Sequence, residues 1–312
     1  MADYLLEVEH LSLCFERQKN LTCKETLYPV IDLSLKLKRG EVLAVVGSSG
    51  SGKSLLASAV LGILPGNCRQ DGIVKYDGRP LTGDLQETLR GRDIRLVPQS
   101  VSYLNPLYTV GWQLKRAALS AGLATGDVRP AIRQALVRYD LAESTLKLFP
   151  HQLSGGMARR VLTATATFGW PRLIIADEPT TGLDDVLIRE SLSYLRSLAD
   201  DGRGVIIISH DLSSVVDFAD YVTVFIDGVS VETCSAETLT RNGWESLKHP
   251  YSQALWRSLP GVDFWESLPV ANGQESDCCP FIPRCNCRRD LCLDNPPSVN
   301  NFNEREYARC HF

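Results

Sequence analysis

The sequence lacks any long apolar run. None of its stretches approaches the roughly 18–20 apolar residues that a helix needs to cross a bilayer. The first residues, from Met1 to Tyr4, carry neither the basic segment nor the apolar core of a secretion signal. We therefore expect a chain that does not span the membrane and that stays in the cytoplasm.

An excess of positive charge is also absent. The 33 Lys and Arg residues are outnumbered by 37 Asp and Glu residues, which gives a formal net charge of −4. Proteins that bind nucleic acids usually carry a strongly basic face, so we expect no nucleic acid partner. With 312 residues, 44% of them hydrophobic and 22% charged, the chain has an ordinary globular composition and room for one large and one smaller domain.

A glycine-rich stretch follows the apolar run at residues 41–46 and precedes a helix-like run. Its residues are Gly47, Ser48, Ser49, Gly50, Ser51, Gly52, Lys53 and Ser54, which match the pattern G-x-x-x-x-G-K-[ST] without a mismatch. Backbone N–H groups in such a turn face phosphate oxygens, and the positive end of the following helix adds to the attraction. We expect Lys53 to reach the β- and γ-phosphates of a nucleotide and Ser54 to bind Mg²⁺. A Gly/Ser linker can also fit the pattern, but it would not lie between a strand and a helix.

Two further apolar runs end in polar residues. The run 173–176 leads to Asp177 and Glu178, and the run 205–208 leads to a polar cluster that contains His210. Ligands bind at the carboxyl ends of strands in open parallel sheets. We expect Asp177 to bind Mg²⁺, Glu178 to polarise the attacking water and His210 to contact a γ-phosphate. Taken alone, the carboxylates fit a short acidic loop and the histidine a structural role, but the phosphate loop favours function.

Alternating patterns predict a second, antiparallel part of the sheet. Residues 4–15 and 30–38 alternate between apolar and polar side chains, and a polar loop is predicted between them at 16–27. The dipeptides Asp77-Gly78 and Asp227-Gly228 predict two hairpin turns.

Two aromatic residues are candidates for stacking on adenine. They are Phe15 and Tyr28, which lie at the ends of the two predicted antiparallel strands. Plain packing at a strand end is the more common role for such residues, so both interpretations stay open.

Residues from about 107 to 168 have a helical pattern. Near the end of this insert, Leu153-Ser154-Gly155-Gly156-Met157 precedes a helical run. A glycine-rich helix N-terminus is a candidate anion site. We therefore expect a second anion-binding loop here, formed by Ser154, Gly155 and Gly156.

Six of the ten cysteines lie in the last 35 residues. Four of them, separated by five, six and seventeen residues, can hold a tetrahedral zinc ion or a [4Fe–4S] cluster: Cys279, Cys285, Cys292 and Cys310. The tight C-x₂-C pairs of zinc ribbons are absent. The proline-rich tail has little apolar periodicity and needs such a centre to fold. Free thiols remain an alternative, and Cys278 and Cys287 are spare neighbours.

The motifs occur in an order that is typical of one family. The phosphate loop is followed in turn by Gln99, the glycine-rich loop Ser154 to Gly156 (the signature-like loop), Asp177 with Glu178, Gly182-Leu183-Asp184 and His210. Over residues 5–235 the chain resembles the nucleotide-binding subunit of ATP-binding cassette (ABC) transporters. The resemblance implies an α/β fold of the P-loop NTPase type with an antiparallel β subdomain, a helical subdomain at about 100–168 and a small cysteine-rich extension. We expect a nucleotide-binding domain at 1–240 and the extension at 241–312.

The resemblance also implies roles for individual residues. Glu178 is the general base, Gln99 touches the Mg²⁺ ion and senses the membrane partner, and His210 contacts the γ-phosphate of ATP. Ser154, Gly155 and Gly156 bind the γ-phosphate of the ATP held by an opposite subunit, and Asp184 is a further nucleotide-binding residue. Two subunits are therefore expected to close face to face over two ATP molecules, so that hydrolysis requires dimerisation.

Three segments narrow the resemblance to a subgroup. Residues 103–111, residues 249–255 and the cysteine tail are similar to the ATPases of oligopeptide, dipeptide and nickel importers. This similarity implies a [4Fe–4S] cluster and a position on the cytoplasmic face of the inner membrane. The implied partners are a second, different ATPase, two permeases and an extracytoplasmic binding protein. The sequence departs from the subgroup at Ala158-Arg159-Arg160, where a glutamine usually precedes the last arginine, and it lacks the common Asp-Pro after Gln99.

The sequence thus predicts the ATP-hydrolysing subunit of an importer for oligopeptides or dipeptides. A nickel or metallophore importer is an alternative, because residues 61–65 and 146–150 resemble that branch. A second alternative is a soluble ABC ATPase that acts in DNA repair or on ribosomes. This alternative is less favoured, because such proteins usually carry two cassettes in one chain and the net charge here is acidic. A catalytically inactive cassette is not expected, since every catalytic residue is present.

Overall fold

The structure is a computed structural model in which residues 3–20, 23–259 and 278–311 are described. Within these residues twelve strands form one sheet. In chain order they are β1 (Leu6–Asn20), β2 (Cys23–Leu37), β3 (Val42–Gly47), β4 (Cys68–Tyr76), β5 (Arg79–Pro80), β6 (Ile94–Val97), β7 (Leu173–Asp177), β8 (Gly204–Ser209), β9 (Tyr221–Ile226), β10 (Val229–Ser235), β11 (Val299–Asn301) and β12 (Tyr307–Arg309).

Helices alternate with the strands of the central part. The α-helices are α1 (Lys53–Leu61), α2 (Gly83–Leu89), α3 (Val110–Ser120), α4 (Thr125–Arg138), α5 (Gly155–Thr167), α6 (Asp185–Asp200), α7 (Leu212–Val215), α8 (Ala236–Asn242), α9 (Pro250–Arg257) and α10 (Leu291–Asp294). Short 3₁₀ segments occupy Val101–Tyr103, Glu143–Lys147, Pro150–Gln152, Val216–Phe218, Gly243–Ser246 and Ile282–Arg284. No helix in the described ranges has the length and hydropathy of a membrane span.

Five neighbouring strands, in the order β9-β3-β8-β7-β6, run parallel. Their apolar runs at 42–46, 173–176 and 205–208 are fully buried, because helices cover both faces of the sheet. α6, α7, α8 and α9 pack on one face, while α1 and the antiparallel strands pack on the other. This α/β arrangement is the P-loop NTPase-like fold that the sequence predicts.

The antiparallel part of the sheet is formed by β5-β4-β1-β2. Both predicted hairpin turns are confirmed. Asp77 and Gly78 have φ values of 51° and 74°, and Asp227 and Gly228 have φ values of 42° and 87°. Two successive positive φ angles define the tight turn that matches the twist of the flanking strands.

The polar loop predicted at residues 16–27 is wrong. β1 continues to Asn20 and β2 begins at Cys23, with Glu16 opposite Thr26 and Gln18 opposite Lys24. A two-stranded ribbon is held by its backbone hydrogen bonds and needs no buried face. Polar composition therefore did not exclude strand pairing here.

The helical insert has a core of its own. α3, α4 and α5 pack around buried residues that include Leu114, Ile132 and Val161. The helical pattern predicted for residues 107–168 is confirmed, with 3₁₀ segments between α4 and α5.

The C-terminal segment returns to the sheet. β12 pairs with β11 and, antiparallel, with β10, so that Ala308 lies opposite Glu232. Just before β12, Arg305 forms two 2.8 Å contacts with the Glu41 carboxylate, and one of its nitrogens also donates to the Lys36 carbonyl. Its guanidinium lies 3.7 Å from the ring centroid of Tyr221. This arginine joins the C-terminal segment to the start of β3.

We predict that Arg305→Ala lowers the free energy of unfolding by about 2 kcal/mol, because it removes a charged double hydrogen bond whose partners are mostly buried. Urea unfolding measures the effect. Arg241→Ala is the matched control, since Arg241 also forms an ion pair, with Glu237 at 2.6 Å, but both side chains are exposed and such pairs contribute little. Equal losses in the two variants would contradict the prediction.

Candidate active site

The phosphate loop lies between β3 and α1. Gly52, the N-cap of α1, has a φ of 94°. A Cβ atom at Gly52 would lie 2.0 Å from the carbonyl oxygen of Pro29, so only glycine fits between the loop and β2. The strand, turn and helix predicted from the sequence are confirmed, and the loop opens at the carboxyl edge of the parallel strands.

Lys53 is held inside this loop. Its Nζ atom donates to the carbonyl oxygens of Gly47 at 2.9 Å and Ser48 at 2.7 Å, and it lies 3.3 Å from the Ser51 hydroxyl. Burial lowers the pKa of Lys53, while the carboxylates of Glu178 and Asp177 oppose this shift. The carbonyl groups of the phosphate loop therefore hold the ammonium group of Lys53 in the place where phosphate oxygens would bind.

Asp177 and Ser54 meet across the sheet edge. The Ser54 hydroxyl donates to Asp177 Oδ1 at 3.0 Å. The pKa of Asp177 is raised by burial; the Ser54 hydrogen bond and Lys53 act against this rise, and the charge of Glu178 adds to it. A hydroxyl and a carboxylate that converge in this way are oxygen ligands of the kind that Mg²⁺ prefers. The two residues predicted from distant motifs thus lie side by side.

Glu178 and His210 form the second pair at this edge. Glu178 Oε2 lies 2.6 Å from His210 Nδ1, and the Thr181 hydroxyl donates to the same oxygen at 3.3 Å. The backbone of Glu178 is left-handed, with a φ of 48°. Its N–H group donates a hydrogen bond to the Ile208 carbonyl oxygen at 2.9 Å, which holds this conformation. Glu178 is almost fully buried, whereas half of the His210 side chain is exposed. The carboxylate is thus oriented before any substrate binds.

Three other predicted positions lie at element ends, and within the described residues none of them forms a hydrogen bond to the phosphate loop. Ser154 caps α5 by accepting from the Met157 N–H at 3.2 Å, and Asp184 caps α6 by accepting from the Leu187 N–H at 3.0 Å. Gln99 follows β6 and is exposed. In the described part of the chain no hydrogen bond joins Ser154, Gly155 or Gly156 to the phosphate loop, so the structure does not bring the signature-like loop to the site of its own chain.

The adenine candidates occupy different environments. Phe15 is half-buried in β1 opposite Cys68 of β4, whereas Tyr28 is 58% exposed on β2. These positions do not decide whether Phe15 or Tyr28 stacks on adenine, so the adenine-stacking residue stays a prediction.

Sequence reasoning missed the role of Arg159. Its buried guanidinium donates to the Pro98 carbonyl at 3.0 Å and reaches the Thr181 carbonyl at 3.5 Å. Pro98 precedes Gln99, and Thr181 bonds Glu178, so one side chain of α5 joins both loops. The sequence does place an arginine on the apolar face of a predicted helix, which indicates a buried guanidinium with specific partners. It does not identify those partners, because they lie in other loops.

The four tail cysteines line one small, partly open cavity of about 20 Å³. Burial raises the pKa of Cys279 to about 11, and its thiol also interacts with those of Cys310, Cys285 and Cys292. Within residues 3–20, 23–259 and 278–311, no three His, Cys, Asp or Glu side chains are arranged to hold a single metal ion. The four predicted cysteine ligands therefore line the same cavity, but they are not arranged around one metal ion.

The comparisons with known proteins agree with this geometry. A model of the ABC transporter family matches residues 30–181. The chain is 37% identical over 276 residues to the oligopeptide transport ATP-binding protein OppD of Lactococcus lactis subsp. cremoris (strain SK11), covering 84% of this chain and 78% of that protein. It is 34% identical over 324 residues to the dipeptide transport ATP-binding protein DppD of Haemophilus influenzae, covering 98% of this chain and 95% of that protein.

Solved structures share the fold. The structure of cbiO1 from Clostridium perfringens, part of the ABC transporter complex cbiONQ, is similar with a TM-score of 0.65 at 26% identity, over 81% of this chain and 99% of that chain. A phosphate loop that faces two strand-end carboxylates and a histidine defines an ATPase of the P-loop class. The chain belongs to the ABC transporter family, as an ATP-binding ATPase subunit of the group that contains the oligopeptide and dipeptide transport proteins.

We predict that Arg159→Lys lowers the kcat of ATP hydrolysis about tenfold or more, because one ammonium group cannot hold both loops and small displacements of catalytic groups are costly. ATP affinity should stay within about twofold, since Arg159 does not contact the phosphate loop. Steady-state hydrolysis and equilibrium ATP binding separate the two effects.

The matched control is Arg160→Lys. Arg160 is the adjacent residue, but its guanidinium bonds Asp140 on the outer side of α5. Wild-type turnover in Arg159→Lys, or equal losses in both variants, would overturn the assignment.

Proposed function

We propose that this chain powers the import of oligopeptides or dipeptides by hydrolysing ATP at the cytoplasmic face of the membrane. The observation that carries the proposal is the 37% identity to an oligopeptide transport protein over 276 residues, together with a full set of nucleotide-site residues. We place the nucleotide-binding domain at residues 1–240, with its helical subdomain at about 100–168, and the extension at 241–312.

Nucleotide binding begins at the phosphate loop. The backbone N–H groups of residues 47–54 surround the phosphates, and the N-terminus of α1 adds its positive dipole end. Lys53 exchanges its bonds to the Gly47 and Ser48 carbonyls for bonds to β- and γ-phosphate oxygens. Because burial has already removed much of its water, the ammonium interacts strongly with the added charge.

Three side chains would hold the metal ion. They are Ser54, Asp177 and Gln99, of which the first two are already within 3.0 Å of each other. When bound, Mg²⁺ neutralises charge on the phosphates. Gln99 is exposed just after β6, and we propose that it both touches the ion and senses the membrane partner.

Glu178 is the general base in this proposal. Its buried carboxylate accepts the proton of the attacking water, while His210 holds the carboxylate by the 2.6 Å contact and presents its other ring nitrogen to the γ-phosphate. Thr181 bonds the same carboxylate oxygen. Two neighbours thus orient the base, which is the arrangement that proton transfer requires.

The site is completed by a second subunit. Among the described residues no hydrogen bond joins the signature-like loop to the phosphate loop of its own chain, and at the start of α5 Ser154 and Gly155 are exposed while Gly156 is half-buried. Asp184 at the start of α6 is exposed as well. We propose that these residues act on ATP held by the opposite ATPase, so that closure of the dimer and hydrolysis are coupled.

The assembly contains two permeases, a second ATPase and an extracytoplasmic binding protein. The names of the relatives support this proposal, since oligopeptide and dipeptide transport ATP-binding proteins are among them. The cargo itself contacts the permeases and the binding protein, and this chain supplies the energy.

We predict that Glu178→Gln abolishes ATP turnover while ATP still binds, because the amide keeps the shape but cannot accept the proton. In cells that lack their own copy of the gene, the wild-type chain should restore uptake of a labelled tripeptide and Glu178→Gln should not. Glu87→Gln, on the exposed side of α2, serves as the control and should restore uptake.

If the wild-type chain restores uptake of Ni²⁺ but not of the peptide, the transported substrate is nickel and the assignment to peptides is wrong. Normal ATP turnover in Glu178→Gln would remove Glu178 from the role of base. Purification from membranes with ribosomal or DNA-repair proteins, and without permeases, would contradict the transport function.

We also propose that the cavity lined by Cys279, Cys285, Cys292 and Cys310 holds a [4Fe–4S] cluster. The donor set fits, because four thiols converge on one cavity and thiolates are the ligands of such clusters. A tetrahedral zinc site needs its donors around one ion, and the described residues contain no three His, Cys, Asp or Glu side chains arranged in that way. The centre would tie the two ends of the tail together and so stabilise it.

We predict that Cys285→Ser loses iron and sulfide and makes residues 278–311 more sensitive to proteases. Iron, sulfide and zinc analysis after anaerobic purification measures the first effect, and limited proteolysis the second. Cys287→Ser is the control, since Cys287 is exposed and does not line the cavity. Zinc without iron would replace the cluster by a zinc site, and unchanged iron in Cys285→Ser would remove this residue from the ligand set.

A further inference from the structure

A cavity separate from the nucleotide site lies beside β10 and α8. Its volume is about 520 Å³, which is in the range of pockets that hold small molecules. β10, α8 and the segment after α8 contribute most of the lining, and the C-terminal extension contributes Phe302 and Glu306. None of the described lining residues belongs to the phosphate loop or to the strand ends that carry the catalytic groups, so a ligand here would leave the ATP site free.

Two carboxylates that line the cavity are fixed by backbone N–H groups. Glu232 is 2% exposed, and its oxygens accept from the N–H groups of Lys248 at 2.7 Å and His249 at 3.0 Å. Glu306 accepts from the Ser235 N–H at 2.8 Å. A carboxylate has about four acceptor positions, so both groups can accept further hydrogen bonds from a ligand. Because they are oriented before a ligand binds, the entropic cost of binding is lowered.

The charges around the cavity are unequal. Among the described lining residues are three glutamates, Glu232, Glu245 and Glu306, and one lysine, Lys248. Burial raises the pKa of Glu232, and its hydrogen bonds and the charge of Lys248 offset only part of this rise. A cation in the cavity would favour the ionised carboxylate. In the described part of the chain no three His, Cys, Asp or Glu side chains are arranged around a metal ion, so these carboxylates suit an organic ammonium group.

Lys248 supplies a positive group for the other end of a ligand. Its side chain is exposed at the cavity, and among the described residues no ion pair or side-chain hydrogen bond occupies its ammonium group. Phe302 is 56% exposed at the same cavity and offers an apolar surface. Carboxylates, one ammonium group and one aromatic ring together match a molecule with an ammonium group, a carboxylate and a small side chain.

We propose that this cavity binds a small zwitterion, an amino acid or a short peptide, whose ammonium group is held by Glu232 and Glu306 and whose carboxylate is held by Lys248. The ligand contacts β10 and α8 as well as Phe302, and it therefore bridges the nucleotide-binding domain and the C-terminal extension. Binding requires neither ATP hydrolysis nor peptide import, because the cavity and the nucleotide site share no described residue.

Calorimetry on the full purified chain without nucleotide measures the binding. The probes are alanine, trialanine, N-acetyltrialanine and putrescine. We expect alanine or trialanine to bind, and the tighter of the two identifies the ligand as an amino acid or a peptide. The acetylated peptide lacks the ammonium group and putrescine lacks the carboxylate. Each should bind at least about tenfold more weakly than the tighter probe, which corresponds to the loss of one charged hydrogen bond.

Two variants locate the ligand. Glu306→Gln should weaken binding of the tighter probe about tenfold or more, because the amide has no charge for the ammonium group. Lys248→Met should weaken it by a similar factor and leave binding of the amidated probe, which lacks the carboxylate, unchanged. The control is Glu237→Gln. Glu237 lies on α8 but is exposed, pairs with Arg241 at 2.6 Å and does not line the cavity, so its variant should bind like the wild type.

Several outcomes would overturn this assignment. They are no binding of alanine and trialanine at millimolar concentration, binding of the acetylated peptide or of putrescine as tight as that of the better probe, and equal losses in Glu306→Gln and Glu237→Gln. If Glu306→Gln lowers the melting temperature, Lys248→Met decides the question, and equal losses for the probe and its amide then contradict the site. Failed peptide import in cells, with zwitterion binding intact, contradicts the transport function and not this site.

Discussion

The parallel pairing of β3 with β8 and β9 is the constraint on which the active site depends. In this register Val46 lies beside Ser209, and Asp177 at the end of β7 lies beside Ile208. The carboxyl ends of three strands therefore reach the same edge, where the phosphate loop, the two carboxylates and His210 emerge. The apolar runs of these strands are buried on both faces, so a shift in register would expose the core as well as separate the catalytic groups.

A second set of contacts joins this edge to the helical insert. α5 carries the signature-like loop at its N-terminus, and one turn further on Arg159 holds the carbonyls of Pro98 and Thr181. A rotation of the insert therefore moves the loops that contain Gln99 and Thr181. This connection offers a physical path by which a contact at the insert reaches Glu178, since Thr181 donates to its carboxylate.

The C-terminal extension is attached to the nucleotide-binding part by contacts of different kinds. β12 adds to the edge of β10, Arg305 bonds Glu41 before β3, and Phe281 enters the core beside α9. Of these contacts, the bond between Arg305 and Glu41 lies at the start of β3, the strand that leads to the phosphate loop.

Local patterns were enough to predict the elements that carry their own chemistry. The phosphate loop, the strand-end carboxylates, His210 and the hairpin turns were predicted because each depends on neighbours in the chain: a strand, a glycine-rich turn, a helix N-terminus. The order of these motifs also predicted the family. The strands that extend through residues 16–20 and 23–27 were missed, because their pairing uses backbone groups and their polar sequence carries no periodic signal.

Contacts between distant segments were decided by the tertiary structure alone. The partners of Arg159 lie 61 and 22 residues away, and Arg305 bonds Glu41 across 264 residues of the chain. The sequence by itself determined which side chains are available to bind a metal ion or to accept a proton, since those abilities belong to the side chain itself. Which of them meet was set by the packing of the sheet and its helices, because proximity across a core depends on all the elements that pack there together.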